Sequence, residues 1–292
     1  MPRFTYRFFE VVPAAAEAPL REVVPILGEQ PRLFGPDPDH AYWFGRTERH
    51  FAYLAGDEEG RRRILLEVRR LAWARREGLR VPPMVGHAAD GSWLVSERVP
   101  NDPPVGPGYV GAAAQAARML AAAPPPPSEV LEGSYGRRAP RRGRLLRLAR
   151  LAAGGVSVRE FVGLRRAVAA LRADALSHGD YHPNNILYDA GAGAVTLTDF
   201  EMLGMAPWGS DLLLMWVTLD HDDDRERLLA ELLEGADEHE RSRLGLLHRW
   251  ITLRVLAERV ALPRGRRERE PIEEARDLVA RSRENARGWS RV

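Results

Sequence analysis

The chain has 292 residues, of which 45% are hydrophobic and 29% charged, and its formal net charge is +2. These values are typical of a globular protein with one large domain or two lobes. Cysteine is absent, which excludes disulfide scaffolds, thiolate metal sites and cysteine nucleophiles. No apolar run approaches the roughly 20 residues that cross a bilayer, and the N-terminus does not resemble a signal peptide, so we expect a cytoplasmic protein without a membrane segment.

All 43 basic residues are arginines, so the chain contains no lysine. A Walker A phosphate loop and Schiff-base chemistry both require a lysine, and both are therefore excluded. The arginines are densest at 137–150 (RRAPRRGRLLRLAR), where leucines recur at near-helical spacing. This pattern favours a solvated helix face, and a surface for an acidic ligand or nucleic acid is the weaker alternative.

The first hundred residues are predicted to form strands around one helix. HAYWFG and HFAYLAG (40–45 and 50–56) predict a hairpin-like pair. Residues 58–77 have apolar side chains at helical spacing between Asp57, a candidate N-cap, and Gly78, and so predict an amphipathic helix. VPPMVGHAADGSWLVSERVP (81–100) predicts two strands that turn at Asp90-Gly91, and the Pro- and Gly-rich stretch 100–108 marks a boundary.

Downstream of this boundary the pattern becomes helical. Helices are predicted at 109–123 and about 157–173, separated by PPPP (124–127) and the arginine-rich segment. NILYD (185–189) and AVTLTD (194–199) predict a second hairpin, and the chain from Asp211 onward is predicted to be mainly helical. Strands followed by helices predict an α+β protein of two lobes, residues 1–100 and 101–292.

The stretch HGDYHPNNIL (178–187) concentrates polar side chains between hydrophobic flanks. A metal cage of His178, Asp180 and His182 is one interpretation, because these residue types suit zinc or iron. Pro183 and the asparagines after it predict a loop, in which alternating residues do not share a face, and this disfavours the cage.

A second interpretation follows from the spacing beyond Asp180. Asn185 lies five residues later, and Asp199 a further fourteen, at the end of the second hairpin. Phosphoryl transfer from ATP needs a carboxylate at the attacking hydroxyl and oxygen ligands for magnesium. Protein kinases supply these groups with an Asp, an Asn five residues on and a D-F-x triplet beyond a hairpin.

HGDYHPNNIL, together with LTDFE (197–201) and SDLLL (210–214), resembles the aminoglycoside phosphotransferase and choline kinase family, whose loop reads H-G-D-x-x-x-x-N. The resemblance implies a two-lobed protein-kinase-like fold. The small N-terminal lobe (1–100), with an antiparallel sheet and one helix, would bind nucleotide. The larger, mainly helical C-terminal lobe (101–292) would hold the catalytic loop and the acceptor site.

The resemblance also implies roles for single residues. Asp180 would be the catalytic base, Asn185 and Asp199 would bind Mg²⁺, and His178 and Asp211 would support the loop by hydrogen bonds. In the N-terminal lobe, backbone groups near Ser96, Glu97 and Arg98 would meet the base of ATP, and Glu67 would be the glutamate of the family's helix. The resemblance gives His182 no role beyond packing and hydrogen bonding.

The sequence departs from the family in its first hundred residues. The lysine that normally contacts the ATP phosphates would fall close to Ala55, and Arg46 and Arg49 are the nearby candidates to replace it. FGPDPDHAYWFG (34–45) is the one weak candidate for a glycine-rich phosphate loop.

The predicted function is therefore an ATP-dependent phosphotransferase that moves the γ-phosphate to a hydroxyl of a small molecule, such as an antibiotic, a sugar or an amino alcohol. The alternative is a catalytically weak or inactive kinase-like protein that binds nucleotide. The acidic cluster DHDDDRE (220–226) could face a cationic acceptor or simply begin a solvated helix. Neither a membrane nor a nucleic-acid partner is expected.

Overall fold

A five-stranded antiparallel sheet precedes a mainly helical part of the chain in the computed structural model, which describes residues 14–35, 42–131, 149–259 and 270–289. The helices are α1 (Ala14–Leu27), α2 (Glu58–Arg76), α3 (Gly106–Ala122), α4 (Val158–Ala169), α5 (Ser210–Thr218), α6 (Asp222–Leu233), α7 (Glu238–Arg259) and α8 (Glu270–Trp289). The strands are β1 (Arg32–Phe34), β2 (Tyr42–Arg46), β3 (His50–Ala55), β4 (Met84–His87), β5 (Trp93–Glu97), β6 (Ala175–Ser177), β7 (Ile186–Asp189), β8 (Ala194–Leu197) and β9 (Gly204–Ala206). Residues 149–153 are also helical, and two short 3₁₀ turns cover Ser128–Val130 and Phe200–Met202. The predicted α+β class is confirmed.

The strand order in the sheet is β1-β2-β3-β5-β4. The predicted hairpin at 40–56 is confirmed, because β2 pairs with β3 from Tyr42 opposite Ala55 to Arg46 opposite Phe51. β3 in turn pairs with β5, and His50 lies opposite Glu97. β3 and β5 are antiparallel, so Ala55 at the end of β3 and Glu97 at the end of β5 lie at opposite ends of this strand pair.

The two faces of the sheet pack against different cores. One face supplies Ala52, Leu54 and Val95 to a small cluster with α1. The other face supplies Ala55 and Leu94 to the main core, which continues through α2 into the helical part of the chain. Successive residues of a strand point to opposite faces of the sheet, so neighbouring residues such as Leu54 and Ala55 belong to different clusters.

The prediction of one helix in the first hundred residues was wrong, because α1 is a second one. Its buried residues Ala16, Leu20, Val23 and Leu27 follow the spacing of one helix face. Two prolines lie inside it, and proline disfavours a helix interior. Burial of that apolar face against the sheet outweighs the local preference.

The predicted helix at 58–77 is confirmed as α2. The side chain of Asp57 accepts a hydrogen bond from the Gly60 N–H at 2.8 Å, the geometry of an N-cap. Gly78, just past the helix, has φ of +79°, which favours glycine. Ile64, Val68 and other apolar residues of α2 face the main core, so the helix is fixed to the sheet and to the segment after β8.

The helical part surrounds two short antiparallel pairs, β6 with β9 and β7 with β8. The second predicted hairpin is confirmed as β7–β8. α3 packs on β6 and β8 and α5 packs on α7, so the segment between β6 and β7 is held from several sides. Within the described ranges, no helix is both long and apolar enough to cross a membrane.

Two sequence features fall largely outside the described residues. The arginine-rich stretch 137–150 is described only at its last two positions, where an Arg150 terminal nitrogen donates to the Ala257 carbonyl at 3.0 Å. The candidate phosphate loop 34–45 is described only at its ends.

A buried histidine in α7 gives the first testable prediction. His248 is fully buried between Trp216 and Trp289, with ring centroids 4.3 and 5.4 Å away, and its ring nitrogens have no hydrogen-bond partner among the described residues. Burial lowers its pKa to about 3 from 6.5. Between these values the unfolded chain binds a proton that the folded protein excludes, so stability falls as the pH drops below about 6.5. From pH 7 to pH 5 this one group removes about 2 kcal/mol.

His248→Leu should therefore keep the free energy of unfolding within about 1 kcal/mol of wild type at pH 7.5 and flatten the decrease toward pH 5. Urea denaturation at both pH values measures this. His239→Leu, on the exposed side of the same helix, is the control and should keep the wild-type pH dependence. Equal slopes for wild type and His248→Leu would contradict the prediction.

Candidate active site

Residues 178–185 and 198–199 form one hydrogen-bonded unit. The N–H of Thr198 donates to the Asn185 carbonyl at 3.0 Å, and the carbonyl of Thr198 lies 2.9 Å from His178 Nε2. These contacts connect the two sides of the β7–β8 hairpin to the residue before Gly179. The three residues predicted to carry the chemistry are thereby placed on one connected piece of backbone.

Asp180 is held by two neighbours through a single oxygen. Its Oδ2 lies 3.1 Å from His182 Nε2 and 3.2 Å from Asn185 Nδ2. The N–H of Asn184 donates to His182 Nδ1 at 3.3 Å, so the proton of a neutral His182 ring is on Nε2 and points at Asp180. His182 is therefore a positioning contact of the candidate base that the sequence did not reveal.

Asn185 is used in the loop through its amide nitrogen. Nδ2 donates to the Asp180 carbonyl at 3.0 Å as well as to the Asp180 carboxylate. This assignment leaves the amide oxygen, a hard ligand of the kind that Mg²⁺ prefers, as the group able to bind a cation.

Asp199 has an unusual backbone conformation and a charged environment. Its φ and ψ are 62° and 68°, and it is the one described residue other than glycine with positive φ. Such strain is concentrated at functional sites. Burial raises the pKa of its carboxyl well above the ordinary value, and the nearby carboxylates of Glu201, Glu67 and Asp180 raise it further. A cation at this position would relieve both effects.

Glu67, on α2, contacts the residue after Asp199. Its Oε1 accepts a hydrogen bond from the Phe200 N–H at 3.2 Å. Burial raises the pKa of Glu67 to about 7, partly offset by that hydrogen bond and by Arg70. Glu67, which the resemblance identifies as the glutamate of the family's helix, is thus next to the D-F-E segment and accepts from its backbone.

Asp211 forms hydrogen bonds with the residues at the start of the loop. Its carboxylate accepts hydrogen bonds from the Ser177 hydroxyl at 2.7 Å, the His178 N–H at 2.8 Å and the Gly179 N–H at 3.1 Å. It lies in the first turn of α5, where the helix dipole favours a negative charge.

Gly179 is required by the shape of this loop. Its φ is +80°, and a Cβ at this position would overlap the carbonyl oxygen of Met202. Both observations exclude a larger side chain without movement of the backbone. The glycine in H-G-D is therefore a structural requirement for bringing the segment after Asp199 against the loop.

His178 is fully buried and packs on the aromatic residue after Asp199. Burial lowers its pKa, and its Nε2 donates to the Thr198 carbonyl, so the ring is neutral. Its ring centroid is 4.9 Å from that of Phe200 and 5.9 Å from that of Tyr181. Its contacts are those of a residue that supports the loop.

The segment at the end of β5 is largely engaged in the sheet. The N–H of Glu97 donates to the Pro83 carbonyl at 2.8 Å, and the N–H of Arg98 donates to the Arg49 carbonyl at 2.7 Å. The Ser96 side chain is buried. The N–H groups of Glu97 and Arg98 therefore already have partners, and the contact of backbone groups near Ser96, Glu97 and Arg98 with a base stays a prediction.

An aromatic surface lies on the sheet face opposite α1. The centroids of neighbouring rings are 5.2–5.8 Å apart, and three of the four rings are half-buried. The four residues are Phe34, Phe44, Phe51 and Tyr53. A flat heteroaromatic ring could pack on such a surface.

The acidic cluster 220–226 begins α6 and is partly neutralised. Asp222 pairs with Arg225 and Arg281, both at 2.8 Å. Asp224 is buried and accepts from the Gly106 N–H at 3.0 Å. These contacts fit the interpretation of a helix start for Asp222 and Asp224, whereas Asp220, Asp223 and Glu226 are exposed.

A metal ion at Asp199 would have few ligands from the protein. In the described part of the chain, no three His, Asp or Glu side chains are arranged to hold a metal ion. The amide of Asn185 and the carboxylate of Asp199 could supply two oxygen ligands, and Mg²⁺ commonly binds to one or two carboxylates with phosphate oxygens and water completing the shell. The residues present fit a magnesium ion bound together with a nucleotide.

Several solved structures share the fold of the chain. An aminoglycoside-3'-phosphotransferase of type VIII matches with a TM-score of 0.53 and 23% identity, over 82% of this chain and 99% of its own. A choline/ethanolamine kinase family protein from Mesorhizobium loti matches with a TM-score of 0.56 and 17% identity, over 95% of both chains. The streptomycin–ATP complex of APH(2'')-IIa matches with a TM-score of 0.55 and 12% identity, over 94% and 99%.

At identities this low, the structural matches establish the fold alone. They confirm the predicted protein-kinase-like arrangement. No curated protein sequence matches the chain. The family itself is given by a sequence comparison, because the model of the phosphotransferase enzyme family matches residues 39–247, more than half of the chain. The chain belongs to the phosphotransferase enzyme family.

Proposed function

We propose that the protein is a small-molecule kinase that transfers the γ-phosphate of ATP to a hydroxyl group. The observation that carries this proposal is the single hydrogen-bonded unit in which Asp180, Asn185 and Asp199 are held. Solved relatives described as aminoglycoside phosphotransferases and a choline/ethanolamine kinase, one of them bound to ATP, support it.

Asp180 acts as the base in this proposal. The acceptor oxygen attacks the γ-phosphorus, the bond between that phosphorus and the ADP oxygen breaks, and the hydroxyl proton passes to the Asp180 carboxylate. The contacts of Oδ2 with His182 and Asn185 fix the plane of the carboxylate before the acceptor binds. Fixed geometry of this kind contributes to the rate because no reorganisation is needed at the moment of transfer.

Asn185 and Asp199 would hold Mg²⁺ in this proposal. The bound ion would neutralise the charge that the phosphates and the surrounding carboxylates bring together. The raised pKa of Asp199 supports this assignment, since an ionised carboxylate is unfavourable in this half-buried position beside other carboxylates.

The nucleotide is assigned to residues 1–100 and the acceptor to residues 101–292. The aromatic surface would receive the base, and Glu67 would hold the D-F-E segment in place through Phe200. The acceptor class is an alcohol of an antibiotic, a sugar or an amino alcohol, as in the relatives named for aminoglycosides and choline.

The proposal is tested by ADP release from the purified protein with Mg-ATP over a panel of hydroxylated antibiotics, sugars and amino alcohols. Turnover that is absent from Asp180→Ala would support it, and phosphorylation of the acceptor is verified by mass spectrometry. Binding of Mg-ATP without turnover on any acceptor would instead favour the inactive nucleotide-binding protein.

Metal binding gives a prediction that does not depend on finding the acceptor. Mg²⁺ with a non-hydrolysable ATP analogue should raise the melting temperature by about 5 °C, because ligand at 100 times its Kd adds about 2.7 kcal/mol to stability. EDTA should reverse the shift. Asp199→Asn should lose most of the increase in melting temperature that depends on Mg²⁺. Differential scanning fluorimetry measures this shift.

Asp189→Asn is the matched control for this measurement. Asp189 also ends a strand of the β7–β8 hairpin, but its carboxylate pairs with Arg80 at 2.6 Å. Its response to Mg²⁺ should equal that of wild type. A full Mg²⁺ response in Asp199→Asn would remove Asp199 from the metal site.

A further inference from the structure

A chain without lysine must neutralise the phosphates of a nucleotide with arginine, metal ions or backbone N–H groups. The sequence left Arg46 and Arg49 as candidates, because both are near Ala55 in the chain. The register of the sheet, however, places both arginines far from Ala55. Tyr42 lies opposite Ala55, whereas Arg46 lies opposite Phe51, four residues or roughly 13 Å along β2.

Arg49 is at the same remote end of the sheet. It lies in the turn between β2 and β3, and its carbonyl accepts from the Arg98 N–H. The candidate metal residue Asp199 lies next to α2, because the N–H of the following residue, Phe200, donates to Glu67 on that helix. A cation on α2 within one turn of Glu67 would therefore be close to the candidate metal site.

Arg63 meets this condition. It lies one helical turn before Glu67, and its side chain is 17% exposed. Its Nε donates to Glu59 Oε1 at 2.8 Å, and a terminal nitrogen lies 3.9 Å from Glu201 Oε2. Glu201 is two residues from Asp199, and its charge contributes to the raised pKa of that carboxyl. The guanidinium is thus next to the carboxylates that surround the candidate metal site.

We propose that Arg63 binds the phosphates of the nucleotide in place of the absent strand lysine, an inference that rests on the proposed function. A guanidinium has five N–H donors in a planar fork. Arg63 can keep its Nε bond to Glu59 while its terminal nitrogens donate to phosphate oxygens. Arg63 is on α2, whereas β3, where the family's lysine is expected close to Ala55, has only a buried methyl at that residue.

The test compares Arg63→Met with Arg62→Met. Arg62 is the neighbouring residue and pairs with the same Glu59 at 2.9 Å, but its side chain is 47% exposed. Calorimetry measures Kd for Mg-ATP, Mg-ADP and adenosine. Arg63→Met should raise the Kd of Mg-ATP tenfold or more and that of Mg-ADP less, with adenosine within twofold of wild type. Arg62→Met should leave all three within twofold, and Arg63→Lys should recover part of the Mg-ATP affinity.

The outcomes separate this inference from the proposed function. Wild-type binding of Mg-ATP with equal affinity in Arg63→Met overturns the role of Arg63 alone. Equal weakening of adenosine and Mg-ATP also overturns it, because such a loss reports a general change in structure rather than a lost phosphate contact. Failure of the wild type to bind any Mg-nucleotide overturns both proposals.

Discussion

Asp180→Asn is expected to lower kcat by about 10²–10⁴-fold while the Kd of Mg-ATP changes less than about threefold. The asparagine keeps the shape of the side chain and an oxygen that can accept from His182, so the loop should remain folded. It removes the basic carboxylate that takes the hydroxyl proton. The effect should therefore appear in turnover rather than in nucleotide affinity.

The measurement requires an acceptor from the ADP-release panel and saturating Mg-ATP. His182→Gln is a useful second variant, because the glutamine amide can still donate a hydrogen bond to Asp180 although the imidazole ring is removed. It should reduce kcat less than Asp180→Asn does. A kcat within tenfold of wild type for Asp180→Asn would mean that another group accepts the proton.

The candidate loop could be predicted because its information is local. Asp180, Asn185 and Asp199 lie within twenty residues and are brought together by one hairpin, β7–β8, whose strands and turn are evident in the sequence. The same locality made α2 predictable, from its N-cap at Asp57 to Gly78.

Contacts between distant segments could not be predicted in the same way. α1 is a helix because its apolar face packs on the sheet, although two prolines lie inside it. The separation of Arg46 from Ala55 depends on strand register, and the approach of Arg63 to Glu201 joins α2 to a segment 138 positions later. His182 is an intermediate case, since its spacing of two from Asp180 is visible but the direction of its ring is not.

Asp211→Ala is expected to lower the free energy of unfolding by about 3 kcal/mol or more and to reduce kcat. The carboxylate is buried and accepts hydrogen bonds from three donors at the start of the catalytic loop. Its removal leaves the His178 N–H buried without its acceptor and the Gly179 N–H with only Ser177 Oγ, at 3.1 Å. It also takes the acceptor of the Ser177 hydroxyl, and an unsatisfied buried group costs about 1–3 kcal/mol. Asp211→Asn retains one oxygen and should have an intermediate effect.

Ser210→Ala is the matched control, because Ser210 is adjacent, equally buried and makes one side-chain hydrogen bond, to the Pro207 carbonyl at 2.6 Å. Urea denaturation should give a loss of about 1 kcal/mol for this variant. An equal loss for Asp211→Ala would show that the three donors find other partners. The loop would then not depend on α5 for its shape, and the positive φ angles of Gly179 and Asp199 would have to be maintained by the β7–β8 hairpin and α2 alone.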